Sequence, residues 1–233
     1  KKPIKAKELE TKIGVSAAVI KALADKDIFE LYQIQTDRIN FKGEVNQLKE
    51  LNEFQEKALS EIRTTFTEKD VVLLHGITSS GKTEVYTKLI EENLKSGKQI
   101  LFLLPEIALT TQIISRLENY FGDRISVFHS KYSMNERVEV WNNLLNNKPK
   151  AQIILGARSS VFLPFSNLGL IIVDEEHETS YKQFEPSPRY HARDTAVVLA
   201  HQHNAKIVLG SATPSLESFF NTQNGKYGLV ELN

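Results

Sequence analysis

Six short apolar runs recur between residues 71 and 209, and helical stretches separate them. The runs cover residues 71–75, 99–104, 125–129, 152–155, 168–173 and 206–209. Runs this apolar are typical of strands that helices bury on both faces, as in a mostly parallel sheet. Right-handed helical crossovers join such strands, and ligands bind at the carboxyl ends of the strands. The sequence therefore predicts an α/β fold whose functional residues follow the strands.

Length and composition limit the other possibilities. The chain has 233 residues, of which 41% are hydrophobic and 25% charged, so we expect one large globular domain with a smaller one. No apolar run approaches the ~18 residues of a membrane span. Cysteine is absent, which excludes disulfides, thiol catalysis and cysteine zinc sites from this segment. The 29 basic and 29 acidic residues balance, so a nucleic-acid site would be a local patch. Because the chain does not begin with Met, we expect a piece of a longer protein.

The first fifty residues differ from the rest. Residues 6–13 and 17–25 have helical patterns on either side of a Gly-Val-Ser turn, and residues 28–34 are rich in strand formers. This order resembles a helix-turn-helix with a wing. An ordinary helical hairpin that contacts protein is the alternative. We predict a winged-helix, DNA-binding-like domain over residues 1–42, a polar linker over 43–50 and a larger α/β domain over 51–233.

A glycine-rich motif follows the first apolar run. Residues 76–83 (GITSSGKT) fit G-x-x-x-x-G-K-[ST] and open a helical stretch over 82–94. In such a loop, backbone N–H groups and the helix N-terminus face a polyanion. Lys82 is predicted to reach the β- and γ-phosphates, and the Thr83 hydroxyl to bind Mg²⁺. The other residues predicted to bind nucleotide are Gly76, Thr78, Ser79, Ser80 and Gly81. The alternative is a glycine-rich turn before a helix.

An acidic run follows the fifth apolar run. Asp174 is placed to hold Mg²⁺ through water, and Glu175 to polarise the attacking water. We assign Glu176 a supporting role. His177 is a candidate for sensing the γ-phosphate or coupling to DNA contacts, and an ordinary loop histidine is the alternative. An acidic loop alone is common, but one that pairs with a phosphate loop about ninety residues upstream favours a nucleotidase.

The segment Gly-Ser-Ala-Thr-Pro at residues 210–214 follows the sixth apolar run. Its small hydroxyl residues are placed to connect the acidic site to the rest of the domain. Ser-Ala-Thr-Pro is also an ordinary strand-to-helix turn, with Pro at the first helical position. The three elements in this order resemble a superfamily 2 helicase core.

A more detailed resemblance covers residues 51–218. The matching segments are GITSSGKTEVY (76–86), LPEIALTTQ (104–112), FHS (128–130) with Glu136, Arg137 and Trp141, GARSSVFLPF (156–165), DEEHETSYK (174–182), PRYHARD (188–194) and GSATPSLES (210–218). They resemble the PriA family of bacterial primosomal replication-restart helicases. The chain then looks like the winged-helix region and first helicase lobe of such a protein, with a mostly parallel RecA-like sheet.

The resemblance implies roles for particular positions. Gln55 matches the adenine-reading segment, with a surface glutamine as the alternative. Residues 105–112 and Arg158 match segments that touch the single-strand backbone. Residues 181–193 match an aromatic-rich loop that links DNA binding to hydrolysis; its DNA-binding or coupling residues are Tyr181, Lys182, Phe184, Arg189, Tyr190 and Arg193. Rings can stack on bases while cations meet phosphates. We expect at least one of these rings to fill the core instead.

The match has one departure and several absences. The family pattern commonly has glycine where Ser79 stands, and serine adopts positive φ less readily. The arginine of a second lobe, the zinc-binding cysteines and the N-terminal DNA-binding domain of the family do not occur in this chain. Zinc is therefore expected only in the rest of a full-length protein. The chain alone is expected to hydrolyse ATP scarcely at all.

The resemblance implies an ATP- and Mg²⁺-dependent DNA helicase that restarts replication at stalled or repaired forks and takes part in primosome assembly. Its implied partners are forked and single-stranded DNA, primosome proteins and single-strand-binding proteins, with no membrane partner. The implied location is the bacterial cytoplasm, in association with the nucleoid. Two alternatives stay open: another superfamily 2 nucleic-acid translocase, and a nucleotide-binding scaffold that is inactive in isolation.

Overall fold

The structure is a computed structural model, and it describes residues 6–26, 28, 45–77, 80–106, 111–130 and 132–232. The chain divides into two compact units, residues 1–38 and residues 39–233. The domain limits expected from the sequence stay predictions, since residues 29–44 lie outside the described part.

The residues described in the first unit form two short helices, α1 (Ala6–Ile13) and α2 (Ala17–Ala24). Both match the helices that the sequence predicts. Gly14 ends α1 with φ of +70°, a left-handed conformation that glycine adopts without a steric penalty. The predicted strand over 28–34 lies outside the described residues except for Ile28, so the winged helix stays a prediction.

The described part of the second unit contains nine strands. They are β1 (Val71–Gly76), β2 (Gln99–Leu103), β3 (Ile125–Phe128), β4 (Ile153–Gly156), β5 (Leu168–Val173), β6 (Lys182–Gln183), β7 (Tyr190–His191), β8 (Lys206–Ser211) and β9 (Gly228–Leu232). Seven of them form one sheet in the order β3-β4-β2-β5-β8-β1-β9, and every pairing in it is parallel. Strands β6 and β7 pair antiparallel as a separate hairpin. The predicted parallel α/β fold is confirmed.

Among the described residues of this unit there are six α-helices. They are α3 (Glu53–Thr65), α4 (Lys82–Lys95), α5 (Thr111–Phe121), α6 (Met134–Leu145), α7 (Ala192–His203) and α8 (Leu216–Gln223). The side chains of the central strands alternate between two apolar cores. Val72 and Leu74 of β1 pack with α3, α4 and α5, whereas Val71 and Leu73 pack in the core that contains α6 and α7. These strands are mostly apolar because helices cover both faces of the sheet.

The six predicted strands match β1–β5 and β8 to within two residues. Strand β9 was not predicted. It is the edge strand beside β1, and buried and exposed residues alternate along it. Strand β9 therefore lacks the continuous apolar run that marked the six predicted strands.

The sheet order brings the three candidate motifs together. Strands β5, β8 and β1 are neighbours, so their carboxyl ends lie side by side. In register, Val173 pairs with Leu209, and His75 pairs with Ser211. The phosphate-loop motif, the acidic run and residues 210–214 consequently meet at one edge of the sheet.

Candidate functional site

The phosphate-loop motif connects β1 to α4. Gly81 is the N-cap of α4 and has φ of +88°, which favours glycine at this position. Lys82 is buried, and its Nζ donates to the Gly76 carbonyl at 2.9 Å. Thr78 and Ser79 lie outside the described residues. The described part has the strand–loop–helix arrangement that aims backbone N–H groups at an anion.

Ser80 carries a second sign of an anion site. Its Oγ is buried and is one of three such polar atoms with no hydrogen-bond partner in the described part of the chain. Buried hydroxyls normally have a partner. A donor without one, in the middle of this loop, suits a phosphate oxygen as acceptor.

Asp174 follows β5 in a largely buried position. Tyr86 of α4 donates its hydroxyl to Asp174 Oδ1 at 3.0 Å, and the Asp174 N–H donates to Leu103 O at 3.1 Å. Burial, together with the neighbouring charge of Glu175, raises the pKa of Asp174 to about 6. The carboxylate is therefore fixed in place but costly to ionise, and a cation beside it would stabilise the charged form.

Glu175 and Glu176 have opposite environments although they are adjacent. Glu175 has a left-handed φ of +48°, and its side chain is partly exposed. Its Oε1 lies 3.9 Å from Lys82 Nζ, so it reaches the phosphate loop. Glu176 is fully buried and points the other way.

Glu176 is held by four donors. It accepts from Ser215 N at 2.6 Å, Ser215 Oγ at 3.0 Å, Ser218 Oγ at 2.8 Å and Arg193 Nη1 at 3.1 Å. These bonds satisfy a carboxylate that would otherwise be costly to bury. Glu176 therefore ties the acidic run to α7 and to the start of α8, which agrees with the supporting role predicted for it.

His177 joins the acidic run to the segment after β8. Its Nδ1 lies 2.7 Å from Ser211 Oγ and 3.7 Å from Glu175 Oε2, and its Nε2 lies 3.3 Å from Thr213 Oγ1. The small hydroxyl residues of 210–214 thus contact the acidic run directly. A shift of either segment would move the side chain of Glu175.

A cleft of about 570 Å³ opens between these elements. The side chains around it come from the phosphate loop, the acidic run, the segment before α3, and α3, α4 and α5; they are Lys49, Glu50, Asn52, Gln55, Ser80, Gly81, Lys82, Thr83, Glu84, Arg116, Asp174 and Glu175. Lys82, Thr83, Asp174 and Glu175 were predicted from separate motifs. The fold brings all four into one cleft.

Gln55 lies against the phosphate loop. Its Oε1 accepts from Asn52 N at 3.0 Å, and its own N–H donates to Asn52 Oδ1, which forms a capping box at the start of α3. A Cβ placed on Gly81 would overlap the Gln55 side-chain amide. The glycine therefore leaves room for Gln55, whose oxygen is fixed by the cap while its NH₂ lies beside the loop.

Sequence reasoning missed part of this cleft. Arg116 of α5 forms an ion pair with Glu84, which is in the first turn of α4. Lys49 and Glu50 lie in the predicted linker, yet they line the cleft, and Leu48 packs on the core. No motif marked these residues, because their positions depend on how α5 and residues 45–50 pack.

The described residues suit a magnesium ion bound together with phosphate. Among them, no group of three or more His, Cys, Asp and Glu side chains is arranged to hold a metal. Mg²⁺ is usually bound through one or two carboxylates and substrate phosphates, with several waters retained. Thr83 and Asp174 line the same cleft and supply a hydroxyl and a carboxylate, so the fit is to Mg²⁺ that arrives with a nucleotide.

The β6–β7 hairpin contains most of the predicted aromatic-rich loop. Phe184 is 59% exposed, and Lys182 Nζ lies 4.9 Å from the centre of its ring. Tyr190 is half-buried and contacts Phe162 edge-to-face at 4.8 Å. Arg189 is exposed, and Arg158 Nη1 donates to Lys182 O at 3.3 Å. Rings and cations thus share one exposed surface.

Two residues of that loop are buried instead. Tyr181 is fully buried, and its hydroxyl donates to the Asp174 carbonyl at 2.6 Å. The expectation that at least one aromatic fills the core is therefore confirmed. Arg193 is also buried, where it pairs with Glu176 and Asp194. Both residues connect the hairpin to the acidic run from inside the protein.

The remaining predicted backbone-contact segment is only partly described. Leu104, Pro105 and Glu106 follow β2, whereas residues 107–110 lie outside the described part of the chain. Glu106 Oε1 accepts from Ser130 Oγ at 2.6 Å.

No described helix is both long enough and apolar enough to span a bilayer.

Comparison with known protein families and sequences gives consistent matches. The model of the DEAD/DEAH box helicase family matches residues 52–221. The replication restart protein PriA of Bacillus subtilis is 42% identical, over 98% of this chain and 29% of that protein. The protein of the same name from Haemophilus influenzae is 45% identical, over 91% of this chain and 30% of its own length. The chain thus spans about three tenths of the length of these curated relatives.

Solved structures show the same fold at lower identity. RecG bound to a three-way DNA junction has a TM-score of 0.55 and 21% identity, over 79% of this chain and 24% of RecG. The Hef helicase domain of Pyrococcus furiosus has a TM-score of 0.51 and 15% identity, over 81% of this chain and 38% of that domain. At these identities the likeness concerns the fold alone.

Proposed function

This chain belongs to the DEAD/DEAH box helicase family, and on that basis we propose that it is the nucleotide-binding lobe of an ATP-dependent DNA helicase that restarts replication. One observation carries the proposal: Lys82, Asp174 and Glu175, which lie far apart in sequence, line one cleft at the carboxyl edge of the sheet. Phosphoryl transfer needs a phosphate cradle, a metal ligand and a residue that orients water, and the shared position of Lys82, Asp174 and Glu175 supports assigning one of these roles to each.

The cleft residues divide the work as follows. The backbone N–H groups of Gly76, Thr78, Ser79, Ser80 and Gly81 cradle the phosphates. Lys82 neutralises charge at the β- and γ-phosphates, and its partner Glu175 orients the attacking water. Thr83 and Asp174 would hold Mg²⁺. The bound ion would neutralise the charge that develops on the phosphates. Gln55 contacts the adenine through its free NH₂.

The hairpin and its neighbours contact DNA. Lys182, Arg189 and Arg158 meet phosphates, while Phe184 and Tyr190 stack on bases of single-stranded or forked DNA. Three further residues contact the acidic run rather than DNA. Tyr181 donates to the Asp174 carbonyl, Arg193 donates to the buried Glu176, and His177 lies beside Glu175. They couple strand binding to the position of Glu175.

The rest of the proposal concerns the longer protein. By its resemblance to the PriA relatives, it acts in the bacterial cytoplasm at the nucleoid, with primosome and single-strand-binding proteins as partners. Zinc would be bound by the part that this chain does not contain.

Replacement of Lys82 tests the cleft directly. Lys82→Ala removes the cation beside the phosphates, so the affinity for ATP with Mg²⁺ should fall at least tenfold, or ~1.4 kcal/mol. Lys95→Ala is the matched control, because Lys95 is an exposed lysine at the end of the same helix. Isothermal titration calorimetry measures both variants, and equal affinities for the two would contradict the assignment of the cleft.

A further inference from the structure

An apolar groove lies on the surface outside the nucleotide cleft, next to the β6–β7 hairpin. It has a volume of about 280 Å³ and runs between α6 and the 3₁₀ helix Arg158–Phe162. Trp141, Val138 and Met134 of α6 form one wall, and Phe162 and Leu163 form the other. Side chains of this kind are normally buried.

The walls of the groove are open to solvent. Trp141 is 42% exposed and Phe162 is 53% exposed. A contiguous exposed patch with two large aromatic rings is uncommon on a protein that binds nothing there. The Phe162 ring also contacts the Tyr190 ring edge-to-face at 4.8 Å.

The charges around the groove are positive. Arg137 lies beside it, with its guanidinium 5.7 Å from the centre of the Phe128 ring. Arg158 immediately precedes Ser159, another lining residue. None of the described residues that line the groove is acidic. The groove therefore suits an apolar group that is attached to an anion.

The groove is continuous with the surface of the hairpin. Phe162 joins it to Tyr190 by ring contact, and Arg158 joins it to β6 through the bond to Lys182 O. A DNA strand that crosses Lys182 and Arg158 would therefore lie beside the 3₁₀ helix that forms one wall of the groove.

We propose that this groove binds an unpaired nucleobase of the DNA strand, with the base between Trp141 and Phe162 and its phosphates near Arg137 and Arg158. The inference rests on the proposed function, since it adds a base site to the same DNA surface. Aromatic side chains and flanking cations are the usual elements of single-strand binding, and stacking of this kind tolerates any base.

Trp141 provides a direct readout, because it is the only tryptophan of the chain. The protein is titrated with unlabelled oligothymidylate and with an abasic strand of equal length and charge, while Trp141 emission is followed. Binding of each strand is measured separately by the anisotropy of a labelled copy. Stacking should quench Trp141 with oligothymidylate, whereas the abasic strand should bind without quenching.

A variant adds a second measurement. Phe162→Ala should weaken binding of oligothymidylate about five- to tenfold, equivalent to ~1–1.4 kcal/mol, and leave binding of the abasic strand unchanged. Leu145→Ala is the matched control, since Leu145 is an exposed apolar residue of α6 outside the groove.

The outcomes separate this inference from the proposed function. If neither strand binds, both are overturned. If both strands bind and Trp141 emission responds equally or not at all, only the base site is overturned. A third outcome is that Trp141 emission shifts with protein concentration and that DNA does not reverse the shift. The groove is then a contact between protein copies, and the base site is again overturned.

Discussion

The nucleotide cleft and the hairpin surface lie at the same end of the sheet but are built in opposite ways. In the cleft, Asp174 and Lys82 are largely buried, and partners inside the protein fix both. On the hairpin surface, Phe184 and Arg189 face solvent. A site for chemistry needs fixed geometry, whereas a surface that binds single-stranded nucleic acid needs accessible rings and charges.

The residues between the two regions combine both properties. Glu176 and Arg193 form a buried ion pair, and Tyr181 donates to the backbone of Asp174. These buried contacts connect the hairpin to the acidic run directly. This comparison predicts two kinds of effect. Substitutions in the cleft or at the buried residues Glu176, Arg193 and Tyr181 should change the free energy of unfolding. Substitutions on the hairpin surface should change only the affinity for DNA.

Loss of Arg193 should have the largest effect. Arg193→Ala leaves the buried Glu176 carboxylate without its cation, which should lower the free energy of unfolding by about 3–5 kcal/mol. Arg189→Ala is the control from the same loop, and because Arg189 is exposed its effect should stay within about 0.5 kcal/mol. Urea denaturation measures both. Similar losses in the two variants would remove the distinction between buried and exposed arginines.

Asp174→Asn should have the next largest effect, with the opposite sign. The pKa of Asp174 lies near 6 in the folded protein and about 3.9 when unfolded, so its contribution to stability falls as the pH rises between these values. Without nucleotide and Mg²⁺, the variant should be more stable than wild type above pH 6, by up to roughly 3 kcal/mol at ~1.4 kcal/mol per pH unit.

Thermal unfolding at several pH values tests this. The advantage of Asp174→Asn should disappear near pH 4, where the carboxyl is protonated in both states. Asp123→Asn, at an exposed aspartate of the turn before β3, is the control. An advantage of Asp174→Asn that does not change with pH would show that ionisation is not its cause.

Phe184→Ala should have the smallest effect. Its ring is exposed, so stability should change by less than about 0.5 kcal/mol, and ATP affinity should not change. Affinity for single-stranded DNA should fall about fivefold, or ~1 kcal/mol, through the loss of one stacking partner. Phe220→Ala removes an equally exposed ring from α8 as the control. Anisotropy with labelled oligonucleotides distinguishes them, and identical affinities would exclude Phe184 from the DNA surface.

The sequence by itself determined the central strands, the phosphate loop and the acidic run. These features are local: a strand buried on both faces is apolar throughout, and a phosphate loop needs glycine and lysine at fixed spacing. The different exposure of the neighbouring residues Glu175 and Glu176 also has a local cause, the left-handed φ of Glu175. Strand β9 was not predicted because buried and exposed residues alternate along it, so it has no such run.

Only the tertiary structure decided which polar and aromatic residues are internal. In the sequence, Tyr181 and Arg193 have the same alternating pattern as Phe184 and Arg189, but α7 and the strand ends bury the first pair and leave the second exposed. The position of Arg116 in the cleft also depends on tertiary structure, because α5 packs beside α4 and Arg116 pairs there with Glu84. Burial and pairing depend on residues far apart in the chain, and a local pattern contains no information about them.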